Sequence, residues 1–254
     1  MTTRLQTGLD ARSEARDVRL DRYTSKPMAA ARYVAQRIVL AGVVRGVTRV
    51  QVFGRTEIET LRGAFVVVAN HTSHLDAPLV FTTLPRRLAR YLAAGAAADY
   101  FFDVPWRRGL TTLFFNAFPI HRTGMEKKSS EARALLGRGV PLLVFPEGTR
   151  GKAGSMGQFK AGAAALAARA DVPCVPVAII GADIAHPRGS KWPKSGRPPV
   201  AVVYGRPVFA ATGESPADYM RRVRGEVQRL HDENEHRVLT GRRPSVHLHQ
   251  EELP

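Results

Sequence analysis

A single cysteine, Cys174, stands in 254 residues. It cannot build a disulfide within the chain or a cysteine-rich zinc site. Its setting in VPCVPVAII reads as a buried, inert thiol. Long uncharged apolar runs are also missing. The longest early one, IVLAGVV at residues 38–44, is bracketed by Arg37 and Arg45, well short of the ~20 residues a membrane-spanning helix needs. The first twenty residues contain no apolar run and are expected to be a polar arm rather than a signal peptide. Neither G-x-G-x-x-G after a strand nor a Walker sequence occurs, which leaves nucleotide-driven chemistry without its phosphate cradle. Acidic residues are scarce. The 22 Asp plus Glu against 38 Lys plus Arg give a formal charge of +16, which favours anionic partners: nucleic acid, an acidic membrane surface, or phosphorylated and thioester-carrier substrates. No nucleic-acid module accompanies that charge, and the aromatics sit among leucines instead of cations, so nucleic acid is not an expected partner.

What is present suits a globular chain. An apolar fraction of 44% over this length can bury a full core. We expect a polar arm at residues 1–25, a helical and membrane-interfacial segment at 26–50, one main domain at 51–240, and a polar tail at 241–254. In the second of these, Arg32, Arg37, Arg45 and Arg49 are placed to reach lipid headgroups; a basic helix packed on its own domain is the competing reading. Beyond residue 50 the text alternates. RVQVFG, AFVVVAN, VPLLVF, VPCVPVAII and VAVVYGRPV read as strands. APLVFTTLP, KKSSEARALLGRG, FKAGAAALAARAD and SPADYMRRVRGEVQRLHDENEHRV read as helices. YLAAGAAADYFFDVPWRRGLTTLFFNAFPIHR reads as a mixture of helix and loop. AHPRGSKWPKSGRPP is an exposed basic loop. The alternation predicts an α/β fold with a mostly parallel central sheet covered by helices on both faces.

In such folds chemistry gathers beyond the carboxyl ends of the strands. Two polar clusters fall there. In NHTSHLD, His71 follows a strand directly and Asp76 opens the next helix. On one continuous helix the two would lie about 140° apart; with a turn between them, the aspartate can reach back to one ring nitrogen. The other nitrogen is then free as a base near neutral pH. No G-x-S-x-G elbow supplies a nucleophile, so such a base would act on a hydroxyl brought by the substrate. Two other readings of the stretch remain open: a capping box of Ser73 and Asp76, or metal ligation by His71, His74 and Asp76. The second cluster, FPEGTR at residues 145–150, combines the turn-forming Gly148, the hydroxyl and amide of Thr149 and the planar fork of Arg150, a set suited to phosphate. Glu147 would repel a phosphate, so it is expected to bind Arg150, orient the loop or accept from a substrate hydroxyl. An ordinary strand-end turn is the plainer alternative. Arg122 in FPIHR could supply a second phosphate contact.

Taken together, HTSHLD preceded by Asn70, FPIHR, FPEGTR and VPVAI resemble, in order, the four blocks of the glycerolipid acyltransferase family, whose best-known members are 1-acylglycerol-3-phosphate acyltransferases. The resemblance spans roughly residues 50–210. It implies His71 as general base and Asp76 as its partner. It assigns Arg122, Glu147, Gly148, Thr149 and Arg150 to the acyl acceptor and its phosphate. It also implies a lysophospholipid acceptor, an acyl-CoA or acyl-carrier-protein donor, no cofactor and no metal. The enzyme is then expected at the cytoplasmic face of the membrane, peripheral or monotopic, on an anionic surface. Two departures bear on acceptor or donor preference: His121 stands where an acidic residue is common, and AAADYFF lacks the usual lysine-rich text.

Overall fold

The computed structural model describes residues 20–97, 104–120, 125–151 and 155–241. The chain enters through helix α1 (Lys26–Val34), a π-wound stretch (Ala35–Leu40) and α2 (Ala41–Val47). Strand β1 (Arg49–Phe53) follows, then β2 (Val66–Ala69), α3 (Asp76–Thr83), the short α4 (Arg86–Ala89) and β3 (Ala93–Ala97). Next come α5 (Pro105–Phe115), β4 (Phe118–Ile120), α6 (Met125–Gly137), β5 (Leu142–Val144) and α7 (Gly162–Arg169). The described chain closes with β6 (Cys174–Ile180), the short α8 (Ala182–Ala185), β7 (Pro199–Tyr204) and α9 (Pro216–Thr240).

Seven strands form one sheet in the order β1-β7-β6-β2-β5-β3-β4. Every pairing is parallel except β6 with β7. The carboxyl ends of β2, β5 and β6 therefore meet the amino ends of β7 and β1 along one edge. That edge carries both polar clusters.

The unbroken apolar runs follow from burial on both faces. Along β2, Val66 and Val68 enter one core with Leu135, Ala164, Tyr219, Val223 and Val227 from α6, α7 and α9. The alternate residues Val67 and Ala69 enter the other, with Val44, Leu79, Phe81 and Leu84 from α2 and α3. β6 divides in the same way: Cys174, Ala178 and Ile180 face α9, while Val175, Val177 and Ile179 face α3. Burial pushes the Cys174 thiol up to about 11, which keeps it protonated and inert as the sequence implies. Helix α9 is capped by Ser215, whose side chain accepts from the Asp218 amide, and it ends on left-handed Gly241.

Three expectations need correction. The proposed arm at 1–25 does not extend to residue 25 as loose chain: residues 20–24 form a helical turn. Leu20 and Tyr23 are buried in the core, as the i, i+3 spacing of two apolar residues on a turn allows. The mixed 91–122 zone holds two strands, β3 and β4, where only helix and loop were expected. Of the four arginines assigned to lipid, two point inward. Arg32 is buried and donates to the Tyr23 carbonyl, and burial lowers it to about 10. Arg37 donates to the carbonyls of Thr82 and Leu84 at 2.6 and 2.7 Å. With Arg55, which donates to Thr83, it satisfies the open carboxyl end of α3, where cations are favoured. Of the four, only Arg45 and Arg49 are exposed. No helix among the described residues is long and apolar enough to cross a membrane. The tail beyond Gly241 lies outside the described residues.

Candidate active site

β2 delivers the first cluster. As the strand ends, Asn70 stitches it to β6: its amide donates to the Ile179 carbonyl at 2.9 Å and its oxygen accepts from the Ile179 amide at 2.7 Å. The chain then turns sharply into α3. Ser73 fixes that turn by donating to the His186 carbonyl and accepting from the Leu75 amide. Asp76 occupies the first turn of α3 and its carboxylate is fully buried.

One oxygen of that carboxylate gathers three contacts. Asp76 Oδ2 lies 2.8 Å from His71 Nδ1 and accepts the backbone amides of Thr72 and Ser73 at 2.7 and 2.8 Å. The Ser73 amide contact is the return half of a capping box, but the forward half is not made: Ser73 Oγ accepts from the Leu75 amide and the Asp76 amide bonds the Ser73 carbonyl instead. A carboxylate oxygen only accepts, so His71 donates to it from Nδ1; in the neutral ring that tautomer carries the lone pair on Nε2. His71 is 23% exposed at its side chain and stacks on Phe145, with ring centroids 4.2 Å apart and planes 21° from parallel. The ring is held by Asp76 at one edge and by Phe145 on one face.

Phe145 opens FPEGTR, so the two clusters share a wall. Glu147 joins them. Its Oε1 accepts the His71 amide at 2.8 Å and its Oε2 accepts the Gly157 amide at 3.2 Å. The Gly151 amide returns a bond to the His71 carbonyl at 2.8 Å. Of the tasks expected for Glu147, the structure gives it the orienting one: both carboxylate oxygens are engaged by backbone amides. Gly148 is left-handed at φ 77°, and an added Cβ there would stand 2.9 Å from Lys160 Nζ. This lysine, which the motifs did not single out, sets a second cation beside the loop of Thr149 and Arg150. Thr149 is exposed and Arg150 half-buried. Burial, with the Arg150 guanidinium as the next cause, holds His74 below the ordinary imidazole range. Arg122 lies outside the described residues. His74 faces His186 at 5.8 Å between centroids, and among the described residues no three metal-capable side chains gather.

A profile of the family described as Acyltransferase matches residues 49–180, more than half of the chain and all of both clusters. The chain belongs to the acyltransferase family. Among relatives of this acyltransferase-family chain, 1-acyl-sn-glycerol-3-phosphate acyltransferase alpha of Mus musculus is 33% identical over 184 residues, 69% of this chain and 58% of that protein. The 1-acyl-sn-glycerol-3-phosphate acyltransferase of Pseudomonas aeruginosa is 37% identical over 99 residues, 37% of this chain and 35% of the relative. The matches thus span about a third to three-fifths of these relatives. The crystal structure of a 1-acyl-sn-glycerophosphate (LPA) acyltransferase from Thermotoga maritima superposes with a TM-score of 0.60 at 22% identity, covering 84% of this chain and 98% of that one. The α/β architecture is the same.

The glycines around Glu147 carry a prediction. A Cβ on Gly157 would lie 2.8 Å from Glu147 Oε2. Gly157→Ala is therefore expected to push the carboxylate off its amides and shift the His71 backbone. We expect a loss of about 1–3 kcal/mol in stability and up to about 10²-fold in kcat/KM through misplacement of His71. Urea unfolding and initial rates on the same preparation check both.

Proposed function

We propose that this chain is an O-acyltransferase that moves a fatty acyl group from acyl-CoA or an acyl carrier protein to the free hydroxyl of a 1-acylglycerol-3-phosphate, giving phosphatidate. The observation that carries the reading is the 2.8 Å contact between His71 Nδ1 and Asp76 Oδ2, which leaves the other ring nitrogen, Nε2, outside that contact on a ring stacked against Phe145 of the FPEGTR loop. The acceptor hydroxyl donates to Nε2. As its oxygen attacks the thioester carbonyl, His71 takes the proton. The carbon–sulfur bond then breaks and the thiolate leaves, reprotonated from the imidazolium. Asp76 holds the ring and stabilises its transient positive charge. The substrate alcohol is the nucleophile, so no acyl-enzyme forms.

The acceptor's phosphate is assigned to Arg150, with Lys160 beside it and Arg122 as a further contact. A guanidinium pairs with phosphate in a planar fork that an ammonium cannot copy. Arg150→Lys is expected to raise KM for lysophosphatidate about tenfold or more, the loss of a charge-assisted hydrogen bond of about 1.5–3 kcal/mol, with little change for an acceptor lacking phosphate. Competition between phosphate-bearing and phosphate-free lysolipids tests the assignment. Equal preference in the wild type would move the acceptor class elsewhere.

The acceptor partitions into lipid, and the exposed apolar side chains lie where a bilayer could receive them. Val34, Ile38, Val39 and Val43 form an exposed stripe on α1, the π-wound stretch and α2; Ile38 is 68% exposed. The first two of these elements pack against α5, which adds exposed Trp106 and Leu110. Peripheral docking of this face on an anionic membrane is part of the proposal.

A further inference from the structure

The loop from His186 to Pro198, between α8 and β7, is not used by the chemistry above. Its sequence, HPRGSKWPKSGRP, carries Arg188, Lys191, Lys194 and Arg197, and no acidic residue occurs between Asp183 and Glu214. At its centre Trp192 is 81% exposed. A large aromatic held in water at the tip of a cationic loop needs a physical reason, and this loop is held firmly. The Lys194 amide donates to the Ala185 carbonyl at 2.8 Å, closing its base, and the Ser190 amide donates to Pro187 at 3.1 Å.

Two further contacts place it. On one side Arg188 donates to the Arg150 carbonyl at 3.2 Å, and the His186 carbonyl accepts from Ser73. The loop thus abuts both clusters of the active site. On the other side the Arg49 amide donates to Pro198 at 3.0 Å and Arg197 reaches the Thr48 carbonyl at 3.5 Å. It therefore adjoins the end of α2, whose apolar stripe we assign to the membrane. Arg188 and Arg197 are engaged with backbone, whereas Lys191 and Lys194 flank Trp192 in sequence and are exposed.

We infer that this loop is a second membrane anchor, one that binds anionic lipid headgroups and brings the mouth of the active site onto the bilayer surface. The inference rests on the membrane reading of the proposed function and deepens it. Tryptophan favours the headgroup region, where its ring is desolvated and its N–H stays hydrated. Lysines beside it gain from the negative surface potential. The two anchors then divide the work. The α1–α2 stripe supplies apolar burial that is indifferent to lipid charge, and the loop supplies selectivity for anionic lipid.

The test uses the full chain carrying Trp106→Phe, which leaves Trp192 as the sole tryptophan. Vesicles of phosphatidylcholine, with and without phosphatidylglycerol, are titrated while Trp192 emission and vesicle partition are followed. Expected are a blue shift with the anionic vesicles and about five-fold weaker partition per lysine removed, roughly thirty-fold for Lys191→Ala with Lys194→Ala. Binding to neutral vesicles and turnover of a short-chain, monomeric acceptor should stay at the unmodified level. Wild-type partition of the double variant on anionic vesicles, or Trp192 emission that ignores vesicles and responds to CoA alone, overturns the anchor. Failure of the acyltransferase reading shows separately, as absence of turnover with every lysolipid while the vesicle response persists.

Discussion

His71→Ala is expected to lower kcat by about 10²–10⁴-fold, the range supplied by a positioned general base. The interpretation is clean because the ties that hold this segment are backbone ties. The His71 amide to Glu147 and the Gly151 amide to the His71 carbonyl survive loss of the ring. Thermal unfolding should therefore change far less than turnover, with the stacking on Phe145 as the main packing loss. KM for the acceptor should move little, since its phosphate is assigned to the FPEGTR loop. A variant that folds and turns over within a few-fold of the wild type would remove His71 from the proton transfer.

Asp76→Asn carries the other large expected effect, about 10⁴-fold in kcat, as seen when a base loses its orienting carboxylate. The geometry explains why neither amide orientation rescues it. With the NH₂ group at the Oδ2 position, its protons meet the Thr72 and Ser73 amides and His71 is driven to the wrong tautomer. With the oxygen there, the NH₂ takes the place of Asp76 Oδ1, which is buried without a hydrogen-bond partner. An unpaired buried donor costs about 1–3 kcal/mol, and the negative charge that steadies an imidazolium is lost in both cases. Because His71 and Asp76 act as a unit, the double variant should fall little below the weaker single one. Additive losses in rate would mean that the two side chains serve separate steps.

Much of the fold could be read from the chain, for reasons visible in particular strands. β2 and β6 are runs of mainly branched residues because both of their faces are buried, and a short unbroken apolar run in an alternating pattern leaves few alternatives. β3 carried no such signal. Ala93–Ala97 is alanine and glycine, residues with weak preference for strands, and pairing with β5 and β4 decides its conformation. The inward turn of Arg32 and Arg37 carried no local signal: Arg32 lies in α1 ahead of the π-wound stretch and Arg37 lies inside it. Their partners, Tyr23 and the carboxyl end of α3, are visible only once the helices pack.

The site divides in the same way. His71 and Asp76 were legible because a strand end, a turn and a helix start lie within six residues. The task of Glu147 was left open because its partner amides, at His71 and Gly157, lie 76 and 10 residues away. Gly151 and Gly157 were overlooked for the same reason: nothing local demands glycine there, and only the carboxylate between them excludes a side chain. Lys160 gave no signal beyond being one of many cations. Its amide, bonded to the Pro146 carbonyl, brings it to the FPEGTR loop from just ahead of the next helix.

The central claim is that a substrate alcohol, not a group on the protein, attacks the thioester while His71 takes its proton. Intact-protein mass spectrometry with acyl donor alone, paired with thiol release in the same mixture, tests it most directly. The expected result is an unchanged protein mass and no burst of thiol until lysophosphatidate is added, when thiol and phosphatidate appear together. A protein heavier by one acyl group, with thiol released in proportion to enzyme before any acceptor is present, would contradict it.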